Sequence, residues 1–97
     1  GSSRMTYTVK WSHEFKRNVK RAVKRGLDPS EMKKLISLLR VDTQLPPSRR
    51  DHPLHGEFEG CRECHIHGDW LLVYRKNRNT LIMTCVTTGT HSDIFKE

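Results

Sequence analysis

The sequence predicts an α+β fold with the element order β-α-α-β-β-β, in which two N-terminal helices pack on one face of a mostly antiparallel twisted sheet. Three observations lead to this fold class. Apolar and polar residues alternate near the N-terminus, two apolar stripes at helical spacing follow, and strand-like segments occupy most of residues 61–87. A chain of 97 residues has room for one domain, which we assign to residues 4–97. Residues 1–3, Gly-Ser-Ser, have the composition of a cloning remnant.

The first predicted strand spans residues 5–11, because apolar side chains occupy every second position: Met5, Tyr7, Val9 and Trp11. Ser12 then fits the N-cap of a helix, and Gly26 is a candidate for its C-cap. Between these two residues, spacings of three and four place apolar side chains on one helical stripe: Phe15, Val19, Ala22 and Val23.

The second predicted helix begins at the segment Asp28-Pro29-Ser30-Glu31. Asp28 fits the N-cap, Pro29 the first helical position and Glu31 the capping-box position. An apolar stripe then continues to about residue 40 through Met32, Leu35, Ile36 and Leu39. The segment at residues 45–48, Leu-Pro-Pro-Ser, ends the helical region and begins a surface loop.

A period of two returns at residue 61 and predicts three strands. In the first, residues 61, 63, 65 and 67 face one way and residues 62, 64 and 66 the other. A tight turn at residues 68–69 leads to a strand at residues 70–75, and a polar turn at residues 76–79 leads to a strand at residues 80–87. We expect the chain to leave the sheet at Thr88 and to end in a tail with one aromatic residue, Phe95.

The charge of the chain indicates a polyanionic partner. The net charge is +7 and the isoelectric point is about 9.7. Like charges at i, i+4 spacing on a helix repel by roughly 0.2–0.5 kcal/mol per pair. The first predicted helix has one basic face, and only Glu14 offsets its charge, so this face favours contact with phosphates. Arg49 and Arg50 add a basic entry to the histidine-rich stretch that follows. The helix carries six basic residues: Lys16, Arg17, Lys20, Arg21, Lys24 and Arg25.

Composition excludes other classes of protein. No run approaches the roughly 18 apolar residues of a membrane span, and we expect no membrane partner. Three cysteines are an odd number, which argues against a secreted disulfide framework and favours reduced thiols in the cytoplasm.

The segment Cys61-Arg62-Glu63-Cys64-His65 matches the CxxCH signature of c-type haem and contains the CxxC of many zinc sites. If residues 61–67 form a strand, Cys61 and Cys64 point to opposite faces and cannot bind one metal ion. We therefore expect no metal or haem cofactor. Cys64 is predicted to be a small core residue and Cys61 to be partly exposed.

The stretch at residues 51–70 is where the sequence concentrates groups that transfer protons. It holds four of the six histidines together with several carboxylates. Histidine titrates near pH 6.5, so it serves as an acid or a base at neutral pH. RNA cleavage by 2′-OH attack needs one group to remove a proton and another to protonate the leaving oxygen. The stretch is therefore a candidate ribonuclease site.

Five short segments in one order resemble the YafQ branch of the RelE-type toxins, small bacterial toxins of type II toxin–antitoxin systems that cleave mRNA in the ribosomal A site. The resemblance is dense over residues 51–95, whereas residues 5–45 share only the pattern of elements. The matching segments are Asp51-His52-Pro53-Leu54, Arg62-Glu63-Cys64-His65, Asp69-Trp70, Thr88-Gly89-Thr90-His91 and Phe95.

The resemblance implies a RelE-like fold and a metal-independent endoribonuclease that leaves a 2′,3′-cyclic phosphate. His91 is implied as general acid and His52 as general base, although His52 and His65 could exchange roles. His65 would contact the phosphate, Asp69 would tune a neighbouring imidazole, and Arg62 and Phe95 would support the site. Glu63 stands where the branch often has an aspartate, and it is implied as a further supporting residue. The remaining histidines of the stretch, His55 and His67, match no family role and are interpreted as surface residues.

The resemblance also implies partners. The toxin alone would be a monomer in the bacterial cytoplasm, binding the ribosome and mRNA, and its antitoxin would join it in a hetero-oligomer by covering the basic surface. Two other readings of the sequence stay open: a basic module that binds RNA or protein without cleavage, including a degenerate toxin, and a metal or haem protein.

Overall fold

A five-stranded mixed sheet forms the frame of the protein, which a computed structural model describes over residues 6–95. The strand order is β1-β5-β4-β3-β2, with β1 parallel to β5 and every other neighbouring pair antiparallel. The predicted α+β class is thereby confirmed. The predicted cloning remnant and Met5 lie outside the described residues. The strands are β1 (Thr8–Trp11), β2 (His52–Pro53), β3 (Arg62–His67), β4 (Trp70–Asn77) and β5 (Ile82–Gly89).

The first helix, α1 (His13–Lys24), begins where the sequence predicted. The Ser12 hydroxyl accepts a hydrogen bond from the Phe15 N–H at 3.0 Å and donates one to the Val86 carbonyl at 2.7 Å, which ties the helix start to β5. The C-cap is Arg25, and Gly26 follows it with φ = 96°. Val23 was predicted to be on the buried stripe and is instead 43% exposed.

The second helix, α2 (Pro29–Arg40), is capped by Asp28, which accepts a hydrogen bond from the Ser30 N–H at 2.9 Å. Glu31 makes no capping-box bond, and its carboxylate lies 3.5 Å from His67 Nδ1 at the end of β3. The predicted apolar stripe is confirmed, because all four of its members are buried: Met32, Leu35, Ile36 and Leu39.

Five strand boundaries and one helix differ from the prediction. Three strands begin later than predicted, β1 at Thr8, β3 at Arg62 and β5 at Ile82, and two strands end later. Lys76 and Asn77 belong to β4, because they pair with Met83 and Ile82 of β5. The Lys76 ammonium lies 2.6 Å from Asp42 and above the Tyr7 ring. Thr88 and Gly89 remain in β5. The short strand β2 was not predicted because two residues carry no periodicity.

A short helix, α3 (His91–Phe95), replaces the predicted tail. Its start is held by two reciprocal hydrogen bonds, one from the Thr90 N–H to the Asp93 carboxylate and one from the Asp93 N–H to the Thr90 hydroxyl, both 3.2 Å long. The bond to the Thr90 N–H is the main reason that the pKa of Asp93 is lowered.

Apolar clusters cover both faces of the sheet. On one face, both helices pack against Cys64, Tyr74 and Cys85, and burial raises the pKa of each of these two thiols to about 12. On the other face, a smaller cluster contains Cys61, which is 7% exposed and not partly exposed as predicted. Its remaining members are Leu54, Phe58, Leu71, Val73, Val86, Ile94 and Phe95. No helix within residues 6–95 has the length and apolar character needed to cross a membrane.

Candidate active site

A buried carboxylate forms the centre of the candidate site. Glu63 lies on β3, on the sheet face opposite α1 and α2, and is 2% exposed. One of its oxygens, Oε2, lies 3.2 Å from His52 Nε2, and the other, Oε1, lies 3.8 Å from His91 Nε2. Within residues 6–95, Glu63 Oε1 has no hydrogen-bond partner. Buried polar atoms are usually satisfied, so such an atom between two histidines makes Glu63 a candidate functional residue.

His52 is oriented by the backbone before it. Its Nδ1 lies 2.6 Å from the Arg50 carbonyl oxygen, which can only accept, so Nδ1 carries a proton. Its other nitrogen, Nε2, then faces the Glu63 carboxylate at a distance of 3.2 Å. The pairing of β2 with β3, in which His52 is opposite Glu63, produces this contact.

His91 is positioned by the start of α3 and lies between two carboxylates. Its Nδ1 is 3.3 Å from Asp69 Oδ1, while its Nε2 faces Glu63. Asp69 occupies the tight turn between β3 and β4. Half of the His91 side chain is exposed, so the ring is accessible to a substrate while negative charge lies beside both of its nitrogens.

His65 and Phe95 complete the cluster. The rings of His65 and His91 are 6.2 Å apart, and His65 Nδ1 lies 3.1 Å from the Gly68 carbonyl, so its Nε2 is the nitrogen available to a ligand. The Phe95 ring stacks on His91 with centroids 5.9 Å apart and contacts Phe58 edge-on. The structure thus brings together six of the predicted site residues: His52, Glu63, His65, Asp69, His91 and Phe95.

Arg62 lies on the other face of β3, apart from this cluster. Its Nε donates to Asp51 Oδ1 at 3.0 Å, and the Tyr74 hydroxyl donates to the same carboxylate at 2.8 Å. Burial, and then the Asp51 carboxylate, raise the pKa of Tyr74. Because Asp51 directly precedes His52, this trio holds β2 in place, and the sequence had not assigned that role to Asp51 or Tyr74.

The six predicted basic residues of α1 and its C-cap are all exposed, and they form two different ridges. The arginine ridge, Arg17, Arg21 and Arg25, borders α3, and the Arg25 guanidinium is 3.4 Å from the Asp93 carboxylate. Arg21 and Arg25 also line a cavity of about 290 Å³ between α1 and the end of β5. Asp93 is therefore an acidic neighbour that the sequence pattern did not reveal. No ion pair within residues 6–95 involves the lysine ridge of Lys16, Lys20 and Lys24.

Arg49 and Arg50 differ in their surroundings. The half-buried Arg49 donates to the carbonyls of His65 and Ile66, so it fastens the loop before β2 to the end of β3. Arg50 is exposed with φ = 51°, and both arginines line an open groove that reaches His65. Arg50 is the one whose side chain extends towards solvent beside the site.

The CxxC pair lies as its strand position predicted, with Cys61 and Cys64 in the apolar clusters of opposite faces. Over residues 6–95, no three side chains of histidine, cysteine, aspartate or glutamate are arranged to hold a metal ion.

Comparison with known proteins places these features in a family. A family model described as the bacterial toxin of type II toxin–antitoxin systems, YafQ, matches residues 7–96. The chain belongs to the YafQ family. The mRNA interferase toxin YafQ of Escherichia coli K12 is 36% identical over 88 residues, which cover 90% of this chain and 94% of that protein.

Solved structures of bacterial toxins share the fold. The chain resembles YafQ in the E. coli DinJ–YafQ complex with a TM-score of 0.83 and 34% identity, over 93% of this chain and 99% of that one. It resembles a metal-bound toxin from Helicobacter pylori with a TM-score of 0.87 and 34% identity, over 93% of this chain and all of that one. The predicted family and its RelE-like fold are thereby confirmed.

Proposed function

We propose that this YafQ-family chain is an mRNA endoribonuclease that inhibits translation as the toxin of a type II toxin–antitoxin system. The observation that carries the proposal is the buried Glu63 carboxylate flanked by two half-exposed histidines, His52 and His91. An exposed imidazole pair around a fixed charge is suited to moving protons at neutral pH. The E. coli relative named an mRNA interferase supports the same activity.

The proposed reaction is an attack within the RNA strand. His52 removes the proton of a 2′-hydroxyl, and the oxygen then forms a bond to the adjacent phosphorus. The bond from phosphorus to the 5′-oxygen breaks, and His91 gives that oxygen its proton. The products are a 2′,3′-cyclic phosphate and a 5′-hydroxyl. Each proton transfer contributes roughly 10²–10⁴-fold to the rate, and neither requires a metal ion.

The surroundings of His91 support its assignment as general acid. An acid must carry its proton until the leaving oxygen forms, and the carboxylates of Asp69 and Glu63 stabilise positive charge on this ring. The ring is half exposed, so its proton can reach a bound strand. Stacking on Phe95 restricts its rotation and places an aromatic face where a base can stack.

The surroundings of His52 support its assignment as general base. Its Nδ1–H bond to the Arg50 carbonyl leaves Nε2 to accept the proton, and Glu63 beside Nε2 stabilises the imidazolium that forms. His65 has the same arrangement, with Nδ1 on a carbonyl and Nε2 available. We assign His65 to the phosphate because it lies beside His91 and the groove that Arg49 and Arg50 line.

We propose that the reaction occurs in the A site of the ribosome, in the bacterial cytoplasm. The exposed cations of α1 and Arg50 would hold ribosomal RNA and mRNA through their phosphates. A cognate antitoxin with an acidic binding segment would cover the same basic surface. The relative crystallised as a DinJ–YafQ complex supports such a partner for this chain.

The decisive experiment is primer extension on a defined message in a purified translation system. We expect new 5′-ends at in-frame codons with the parent protein, only when ribosomes are present, and none with His91→Gln. The matched control is His55→Gln, since His55 is exposed and outside the cluster. Circular dichroism establishes that each variant is folded. A folded, active His91→Gln protein would refute the assignment of the acid, and inactivity of the parent would favour a binding module without cleavage.

A further inference from the structure

A second basic surface lies at the far end of the sheet and belongs to neither the active site nor α1. It is a groove of about 670 Å³ whose cations are Lys10, Arg75, Arg78 and the already paired Lys76. The side chains of Lys10, Arg75 and Arg78 are exposed. None of these three forms an ion pair with any residue in the range 6–95.

Strand register places two of these cations in one row. Lys10 of β1 pairs with Thr84 of β5, and Thr84 pairs with Arg75 of β4. Neighbouring strands are about 4.8 Å apart, so the Cα atoms of Lys10 and Arg75 are separated by about 10 Å across the sheet. The two side chains therefore reach one continuous strip of surface.

This row lies on the same face of the sheet as Glu63. Tyr74 and Cys85 pack towards the helices, so their neighbours Arg75 and Thr84 point to the opposite face. Val73, which pairs with Glu63, is two residues before Arg75 along β4, a separation of about 7 Å. Gly60, from the segment between β2 and β3, lines the groove as well.

The residues that line the groove indicate whether its acidic partner is a nucleic acid or a protein. Within the described chain, no carboxylate lines the groove, and its neutral members include the hydrogen-bonding residues Asn77, Thr80 and Thr84. Contacts to nucleic-acid backbones come from such arginine, lysine, threonine and asparagine side chains. A protein partner needs an apolar centre, and Ile82 is the one large apolar side chain in this lining.

We propose that this groove binds the phosphate backbone of an RNA strand, through Lys10, Arg75 and Arg78. It extends the RNA-binding surface beyond the active site, along the same face of the sheet, to β1. This inference goes beyond the proposed function and does not depend on cleavage, because the binding site excludes the reacting residues.

The test measures binding to a short single-stranded RNA with 2′-O-methyl groups throughout, which cannot undergo 2′-OH attack. Fluorescence anisotropy at several salt concentrations is compared for the parent and for Lys10→Gln/Arg75→Gln. Each phosphate contact to a single strand contributes about 0.7 to the slope of log affinity against log salt, so the double variant should lose about 1.4. Lys33→Gln/Lys34→Gln on α2 is the matched control, since both lysines are exposed and the charge change is equal.

A loss of slope in the groove variant at least twice that in the control supports the proposal. Equal slopes in the two variants would overturn it. The same comparison is made with poly-glutamate as the ligand. If the groove variant binds poly-glutamate more weakly than the parent does but binds RNA equally well, the surface binds an acidic protein instead. In the parent protein, RNA should also protect Lys10 from acetylation more than Lys33, and the reverse order would contradict the assignment.

Discussion

Replacing Glu63 with glutamine tests whether the buried charge supports proton transfer. Glutamine keeps the size of the side chain and removes its negative charge. In the parent, that charge is 3.2 Å from His52 Nε2 and 3.8 Å from His91 Nε2, in a side chain that is 2% exposed. The substitution therefore removes the stabilisation of positive charge on both rings without creating a cavity.

The size of the effect follows from these distances. The contact with His52 is an ion pair at 3.2 Å, and we take its contribution as about 1.5–3 kcal/mol, the range for a contact to a charged group. The separation of 3.8 Å from His91 exceeds hydrogen-bond length, and that ring is half exposed to water, so its contribution is smaller. Since 1.36 kcal/mol corresponds to tenfold in rate, cleavage should slow by about 10- to 150-fold. The free energy of unfolding should change by less than about 1 kcal/mol, because the substitution preserves packing.

The assay is the rate of message cleavage under single-turnover conditions, with urea unfolding measured in parallel. Glu63→Asp retains the charge and should stay within about tenfold of the parent, which separates the effect of charge from that of shape. Glu59→Gln makes the same chemical change at an exposed position and should leave the rate unaltered. A stable Glu63→Gln protein that cleaves within threefold of the parent rate, a loss below about 0.7 kcal/mol, would refute the reasoning.

Three further predictions concern stability. Ser12→Ala removes the hydrogen bonds to the Phe15 N–H and the Val86 carbonyl, so the free energy of unfolding in urea should fall by about 1–3 kcal/mol. The control Ser37→Ala, at an exposed position, should change it by less than about 0.5 kcal/mol. Tyr74→Phe leaves the Asp51 carboxylate with Arg62 alone, so the free energy of unfolding should fall by about 1–3 kcal/mol. Cleavage should also slow, because β2 is held less firmly. A variant as stable and active as the parent would show that Asp51 does not hold His52. The buried Cys64 and Cys85 thiols have pKa values raised from 9.0 to about 12, so their contribution to stability is complete below pH 9 and is lost as pH rises to about 12. The free energy of unfolding should therefore fall by about 1.4 kcal/mol per pH unit for each thiol in that window, and Cys64→Ala/Cys85→Ala should show a shallower decline in urea titrations at pH 8 and pH 10.5.

Local patterns in the sequence determined most of the secondary structure. The caps at Ser12 and Asp28 and the apolar stripe of α2 are short-range features, because a helix begins and buries its face according to residues a few positions apart. The alternation along β3 likewise predicted that Cys61 and Cys64 lie on opposite faces. These same patterns failed where an element was too short to be periodic, as in β2 and α3.

The family resemblance predicted the residues of the candidate site, and the tertiary structure decided their arrangement. The pairing of β2 with β3 puts His52 beside Glu63, and the reciprocal cap of Thr90 and Asp93 begins the helix that directs His91 towards Glu63. Successive side chains of β3 point to opposite faces of the sheet. Glu63 therefore lies in the candidate site, whereas Arg62 lies on the other face and binds Asp51.

The sequence by itself thus determined the fold class, the helix starts and the basic character of α1, and it predicted most of the residues that the candidate site brings together. Only the tertiary structure decided that Glu63 is buried at the centre, that the arginine ridge of α1 borders α3, and that Lys10 and Arg75 share a groove. The physical reason is the range of the interactions. Capping and periodicity act over a few residues, whereas the distances among residues 52, 63 and 91 depend on strand pairing and on packing between distant segments.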